Sequence, residues 1–458
     1  MAERFEIVEK TLQKMLEDKK YATLRDILAT MNPSDIAVLF AGLEEQQLPL
    51  MFRLLPKELA AETFVEMEPD AQELLIRSFS DNELKEVLDE LYVDDAADLV
   101  EEMPANVVKR ILRQADPVMR SSINQILRYP DNSAGSIMTT EYVSLRPSMT
   151  VGEAILRIRR QGVDKETIYT CYVTEGRKLI GLVTVKDLLL AQDDETPISD
   201  MMVTNLISVS THTDQEKVAQ MLSKYHFLAL PVVDLENRMV GIVTFDDAMD
   251  VMVDEATEDM EIMSGMLPSE KTYLKSGVFE LFKNRIPWLM LLMVSATFTG
   301  LIITAFEDAL AAQVALTAFI PMLMGTGGNS GSQSSVTVIR SLSLGELKFK
   351  DIGIVLWKEI RTAVLCGVAL AVVCFIKIWL VDKLLMGNGD ITFQVDLVVC
   401  LALAVTVIIA KVVGGLLPLG AKALKLDPAV MASPFISTIV DALSLLVYFV
   451  FAKSILKL

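Results

Sequence analysis

The chain has 458 residues, more than one domain holds, and combines 52% hydrophobic residues with 61 acidic and 42 basic ones. A net charge of −19 argues against a nucleic-acid binder, because a strongly acidic domain repels phosphate and draws cations, though it also serves plain solubility. The apolar and charged residues are segregated: Pro287 to Leu458 hold 10 acidic and 12 basic residues, leaving 51 and 30 in the part before them.

Residues 1–131 read as helices throughout. Apolar residues recur at three- and four-residue spacing in 35–43, 59–67 and 96–103. Asn32-Pro33, Leu55-Pro56, Glu68-Pro69-Asp70 and Val93-Asp94-Asp95 separate the runs. The loosely similar phrases PSDIAVLF, PKELAAETF and VDDAADLVEEM predict short helices stacked in a superhelix. The opening MAERFEIVEK lacks the apolar core of a signal peptide.

Beyond the turn-rich Tyr129-Pro130-Asp131-Asn132-Ser133, residues 132–200 and 201–253 form an internal repeat. Each copy predicts strand, helix, strand, turn, strand, helix. Residues 168–173 and 230–233 read as strands, Gly176-Arg177 and Glu236-Asn237 as hairpin turns, and 181–185 and 241–245 as return strands. SIMTTEYVSLRPSMTVGEAILRI and IYTCYVTEGRKLIGLVTVKDLLL are matched by DMMVTNLISVSTHTDQEKVAQML and FLALPVVDLENRMVGIVTFDDAMDVM. This resembles a tandem pair of CBS domains, α/β modules that pair internally and usually dimerise.

Residues 254–284 predict a charged connecting helix, DEATEDMEIMSGM, with a basic approach at Lys271, Lys275, Lys283 and Arg285. From 285 to 458 the chain reads as a transmembrane domain with five stretches: 287–306, 311–339, 352–380, 397–417 and 429–452. Each can cross about 30 Å of hydrocarbon at about 1.5 Å per residue. The second is expected to break at its Gly/Asn/Ser run, so that its inner half faces protein or water. The expected fold class is a multidomain α plus α/β membrane protein: helical superhelix, CBS pair and five-helix transmembrane domain.

Lys283, Arg285, Arg340, Lys348, Lys350, Lys422 and Lys425 fall on one side of these spans. Glu307, Asp308, Asp382, Lys383 and Asp390 fall on the other. The positive-inside rule then puts the N-terminal domains in the cytoplasm and the C-terminus outside. Cys171, Cys366, Cys374 and Cys400 show no paired spacing and read as small hydrophobes.

Asp441 lies halfway along 429–452 with apolar sequence on both sides. A carboxylate there costs about 2.5–3.5 kcal/mol on insertion scales unless it faces water or a partner. It is either a cation ligand or the partner of Lys411 in the neighbouring span. In the second span, GTGGNSGSQ sets Asn329 and Gln333 among glycines and serines, a composition that can hold an ion's water shell or serve close helix packing. Ser433-Pro434 and Ser437 add polar surface and a kink before Asp441. A carboxylate with hydroxyls and amides, and no Cys or His, suits a hydrated hard cation such as Mg2+, though it does not separate Mg2+ from Mn2+ or Co2+.

The order of domains, with GTGGNSGSQ and DPAVMASPFISTIVDALSLLVYF, resembles the MgtE magnesium channels over essentially the whole chain. The resemblance implies a homodimeric pore in the cell's inner or plasma membrane with Asp441 at its central magnesium site, and Ser437 and Asn329 are the polar groups expected beside it. It also implies regulatory Mg2+ held between acidic faces, here Asp94, Asp98, Asp214, Glu216, Asp247 and Asp250. On the connecting helix the matching acids are Glu255, Glu258 and Asp259, with Asp427 at the mouth of the last span. Tyr225-His226 departs from the family, which has an acid after this tyrosine. Thr184 and Asp187, and Thr244 and Asp247, match the CBS spacing that holds a ribose, so ATP is an expected modulator.

The competing readings are a divalent importer of other selectivity and a membrane-anchored nucleotide sensor that conducts nothing. With His212 and His226 as the whole histidine supply and no P-loop or catalytic triad, no enzyme is expected.

Overall fold

The computed structural model describes residues 2–457 except 270–272, 274, 275 and 388–390. Lys271, Lys275 and Asp390 of the charge pattern lie outside the described residues, as does the side chain of Ser433. The chain divides into two units, Met1–Met252 and Val253–Leu458.

The first unit opens, among the described residues, with ten helices from α1 (Ala2–Glu17) through α8 (Val93–Glu102) and α9 (Ala105–Gln114) to α10 (Pro117–Ile126). The breaks read from sequence are their starts. Pro33, Pro69 and Pro117 sit in first turns, where a missing N–H costs nothing. Ser80 and Glu83 close a capping box. Helices this short are marginal alone; they are held by one shared core, in which Leu24, Leu28, Ile36, Leu75, Leu84, Leu88, Ile111 and Ile123 are wholly buried.

The repeat folds as two three-stranded sheets. In the first, β1 (Tyr142–Leu145) runs parallel to β2 (Thr167–Glu175), which pairs antiparallel with β3 (Lys178–Thr184). α11 (Val151–Gln161) joins β1 to β2, and α12 (Val185–Leu189) follows β3. After α13 (Ile198–Met201) the pattern recurs as β4 (Val209–Ser210), α14 (Gln215–Tyr225), β5 (Ala229–Val233), β6 (Met239–Thr244) and α15 (Phe245–Met263). Gly176 and Arg177 both take positive φ in the β2–β3 turn, as a tight hairpin requires. The two copies are laced together reciprocally. Thr139, ahead of the first sheet, bridges to Ile242 in β6, and Val203, ahead of the second, bridges to Leu182 in β3.

The connecting helix differs from the expectation over 254–284. It begins at Phe245, directly off β6, and ends at Met263, because Gly265 turns left-handed and Pro268 follows. α16 (Val278–Ala305) then starts early enough to carry Pro287 inside it.

The second unit continues with α17 (Glu307–Ala312), α18 (Ile320–Ser343), α19 (Ile352–Lys377), α20 (Phe393–Ala423) and α21 (Ser433–Leu456). Among the described residues, four segments are long and apolar enough to span a membrane: Val278–Ala305, Phe349–Leu385, Phe393–Ala423 and Pro428–Leu456. α18 has the length, 24 residues, but not the apolar composition.

Nor does α18 break at its Gly/Asn/Ser run. The helix is continuous there, and the irregular stretch lies earlier, in the 3-10 segment Val314–Phe319. The small residues let helices approach instead. A Cβ on Gly327 would sit 2.8 Å from Thr406 of α20 and from Ser444 of α21. One on Gly331 would sit 2.7 Å from Ile436, and one on Gly414 would collide with the Gly331 carbonyl.

Candidate pore and acidic cation sites

Of the two faces of α18, the glycine-bearing one is buried against α20 and α21. Gly325, Asn329, Gln333 and Val336 form the opposite, exposed face at helical spacing. Ser437 packs on Gly328, whose Cβ would lie 3.2 Å from its Oγ. Asp441, half-buried, follows one turn along α21 on the Ser437 side. Ser437 and Asp441 therefore share a face of α21, with Ser437 against α18 at Gly328, while Asn329 stands on the exposed face of α18.

Lys411 does not neutralise Asp441. Its ammonium is buried and reaches Ser334 Oγ at 3.5 Å, and Ser334 donates to Glu359 Oε2 at 2.6 Å. The ion-pair alternative for Asp441 is thus not what the helices make. The Asp441 carboxylate has no hydrogen bond or ion pair to another described residue.

In the first unit, Asp94, Glu141 and Glu166 gather with one oxygen of each within 4.8 Å of the others. The backbone sets this up. Tyr142 and Thr167 face one another in the parallel β1–β2 pair, so the acids one residue earlier start side by side, and Glu166 N–H donates to the Glu141 carbonyl at 3.1 Å. The first N–H groups of α8 are unsatisfied by helix geometry, and that of Val93 donates to Glu141 Oε2 at 3.3 Å. That bond brings Asp94 in.

Burial, then repulsion from Asp247, Asp95 and Glu166, holds the Asp94 carboxyl well above the usual carboxylate range. Burial and Asp247 likewise push Glu166 up to about 8 and Asp95 up to about 7. Asp247 is itself raised by burial, against the hydroxyl of Thr244, which donates to it. Asp94 Oδ1 and Glu166 Oε2 are buried without a hydrogen-bond partner. Buried acceptors left unsatisfied amid like charge fit a hard divalent cation, which takes oxygen ligands. Asp98, one turn along α8, reaches solvent, but burial and then Asp95, Glu101, Glu102 and Asp247 push its carboxyl up to about 7, so it borders the group; Asp250 on α15 is exposed.

Asp95, Glu141 and Glu166 were not singled out in the sequence. Glu141 and Glu166 stand alone in unremarkable stretches, and only the register of β1 on β2 would have revealed them.

In the second unit, Glu255, Glu258, Asp259 and Asp427 meet. Burial raises the Glu258 carboxyl, then Glu255, Asp427 and Asp259 raise it further. Burial also raises Asp259, which the Ser343 hydroxyl pulls back by donating at 3.2 Å and Asp427 raises again. Asp427 caps the turn before α21, accepting from Ala429 N–H at 2.8 Å.

Other expected residues have local structural work. Asp214 caps α14, accepting from Glu216 N–H at 3.0 Å, and Glu216 accepts from Gln220 at 3.0 Å. Neither joins the Asp94 group. Thr184 and Asp187 form the capping box of α12, with Asp187 N–H on Thr184 Oγ1 at 3.1 Å. His226 ends α14 in a left-handed conformation, exposed.

Family models match the chain in the same order: an MgtE intracellular N domain over 31–132, CBS domains over 134–194 and 198–254, and an MgtE divalent cation transporter domain over 320–451. The magnesium transporter MgtE of Thermus thermophilus is 35% identical over 452 residues, 98% of each chain. That of Bacillus subtilis is 33% identical over 436 residues, covering 95% of this chain and 94% of its own. A solved cytosolic domain of the Mg2+ channel MgtE in complex with ATP matches at 37% identity and a TM-score of 0.51. It covers 53% of this chain and 99% of its own. The soluble part of a magnesium transporter matches at 30% identity and the same TM-score, over 55% and 99%. The chain belongs to the MgtE family of divalent cation transporters.

Proposed function

We propose that this chain carries Mg2+ across the cell's inner or plasma membrane along a path lined by Asp441, Ser437 and the Asn329 face of α18, and closes that path when cytoplasmic Mg2+ is abundant. The observation that carries the reading is Asp441: a carboxylate midway along an apolar helix, one turn after Ser437, with the nearest span's lysine committed elsewhere. Mg2+ binds hard oxygen ligands and sheds water reluctantly. One carboxylate among hydroxyls and amides can hold it hydrated without trapping it. The names of the full-length relatives support magnesium as the cargo.

The exposed face of α18 cannot face lipid at low cost, so it lines water or meets a second copy. A homodimer answers both demands, with five crossings per chain, the basic loops and N-terminal domains in the cytoplasm and the C-terminus outside. The acidic groups supply the sensor. Metal-free, Asp94, Glu141, Glu166 and Asp247 repel, as do Glu255, Glu258, Asp259 and Asp427. Mg2+ removes the repulsion and adds ligand bonds, favouring one compact conformation over others. The Ser343–Asp259 bond ties the connecting helix to the end of α18, a direct way to pass that change to the path. ATP at the CBS pair, around Thr184, Asp187, Thr244 and Asp247, would bias the same equilibrium; the ATP-bound structure of the related cytosolic domain supports it.

The test is Mg2+ flux into proteoliposomes, wild type beside Asp441→Ala, with Mg2+ varied on the cytoplasmic face. Flux that requires Asp441 and falls as cytoplasmic Mg2+ rises supports both pore and feedback. Absence of wild-type flux at every Mg2+ level favours the non-conducting sensor, and flux of Mn2+ or Co2+ in preference to Mg2+ favours the importer of other selectivity.

A further inference from the structure

The first CBS repeat carries an open cleft of about 640 Å³, lined by Arg146, Glu153, Leu156, Arg157, Arg160 and Gln161 among others. The last five share one face of α11 at helical spacing, and Arg146 enters from the loop after β1. This is a concentration of positive charge in a part of the chain where acids outnumber bases 51 to 30.

Ordinary surface arginines on a helix pair with a carboxylate four residues away. Here Glu153, four residues before Arg157, is committed to the capping box of α11 and accepts from Thr150 N–H at 3.1 Å. Among the described side chains, which do not include that of Asp164 four residues after Arg160, none of the three guanidinium groups makes an ion pair or hydrogen bond, and Arg157 Nε–H is buried without an acceptor. Leu156, 51% exposed, gives the cleft an apolar patch between the cations.

We propose that this cleft binds an oligophosphate anion, at a site separate from the Thr184/Asp187 spacing and independent of the transport reading. Guanidinium forks take phosphate oxygens in bidentate pairs, and an orphaned Nε–H needs such an acceptor. Three forks arriving from two segments suit a chain of phosphates better than a single one. Binding neutralises the mutual repulsion of Arg146, Arg157 and Arg160 and pins α11 to the loop after β1.

Tripolyphosphate is titrated into the full chain in detergent by calorimetry, with EDTA present so that no divalent cation bridges probe and protein. Wild type is compared with Arg157→Gln/Arg160→Gln, Leu156→Glu and Thr184→Ala/Asp187→Ala. The expected result is one anion per chain, weakened by salt and by about tenfold or more in the arginine variant, as loss of one to two charge-assisted contacts requires. The Leu156→Glu variant, which keeps every arginine, should weaken it similarly, and the Thr184/Asp187 variant should bind as wild type does. Absence of binding by wild type, binding as tight as wild type by the arginine and Leu156→Glu variants, or loss confined to the Thr184/Asp187 variant each overturns the assignment.

Discussion

Ser334 stands between Lys411 and Glu359: its Oγ is 3.5 Å from the ammonium and 2.6 Å from a carboxylate oxygen. One hydroxyl thus joins a charge on α20 to a charge on α19 from its own place on α18. Ser334→Ala removes the bridge and leaves Lys411, 5% exposed, without a polar partner. A lost bond to a buried charged group costs about 1–3 kcal/mol. A lower Tm in detergent is expected for Ser334→Ala and a near-normal one for Ser334→Thr, which keeps the hydroxyl. Equal losses in both would point to packing rather than the hydrogen bond.

The glycines of α18 and α20 make a sharper pair. Gly414 has no room for a Cβ against the Gly331 carbonyl, whereas Gly325 has nothing within 4 Å. Gly414→Ala should destabilise the protein by about 1–3 kcal/mol, the usual result of overpacking. Gly325→Ala should be neutral or stabilising by up to about 1 kcal/mol, since alanine is the better helix former. Thermal melting of the two variants beside wild type decides. If both melted alike, the glycines would not be there for helix contact.

This contrast shows what the sequence could and could not reveal. Periodicity and Pro breaks located the short N-terminal helices, and the internal repeat gave the succession of strands and helices in each copy. The GTGGNSGSQ run was legible as special, but not how: composition suggests a broken helix, and only the contacts with Thr406, Ile436 and Gly414 show that small size keeps it whole. Asp94 and Asp247 could be named because the resemblance to the MgtE channels carries over onto DDAAD and FDDAMD. Glu141 and Glu166 could not, because what unites them is the start of two parallel strands 25 residues apart. The end of α15 was missed because a single left-handed glycine outweighed a helix-forming composition.

The acidic group of the first unit predicts a pH dependence with a definite sign. Asp95 and Glu166 are raised to about 7 and about 8, from about 4 in an unfolded chain. The folded state therefore binds more protons between these values. Stability from this group is full below about pH 4 and is lost as pH rises toward 8. In EDTA, Tm should fall from pH 5.5 to pH 8.5, and Glu166→Gln should flatten that fall. Added Mg2+, competing with the protons, should raise Tm more at pH 8.5 than at 5.5. The same Mg2+ gain at both values would mean that these carboxylates do not take up the ion.

Asp247, Glu258 and Asp259 test the sensor as a whole. Asp247 faces the Asp94 group, and Glu258 and Asp259 face Asp427 with Glu255 close by, so each is held against like charge that Mg2+ would relieve. Asp247→Asn/Glu258→Gln/Asp259→Asn removes repulsion and ligands together. Two effects follow with opposite signs: the metal-free protein should melt higher than wild type, while its stabilisation by Mg2+ should shrink. Losing even one ligand contact of about 1.4 kcal/mol is tenfold in affinity. The cytoplasmic Mg2+ that halves flux should therefore rise by about tenfold or more, with Asp441-dependent conduction intact. Closure at the wild-type Mg2+ level, with the metal-free Tm raised, would separate the two effects. The carboxylates would then be a source of strain alone, and the gate would lie elsewhere.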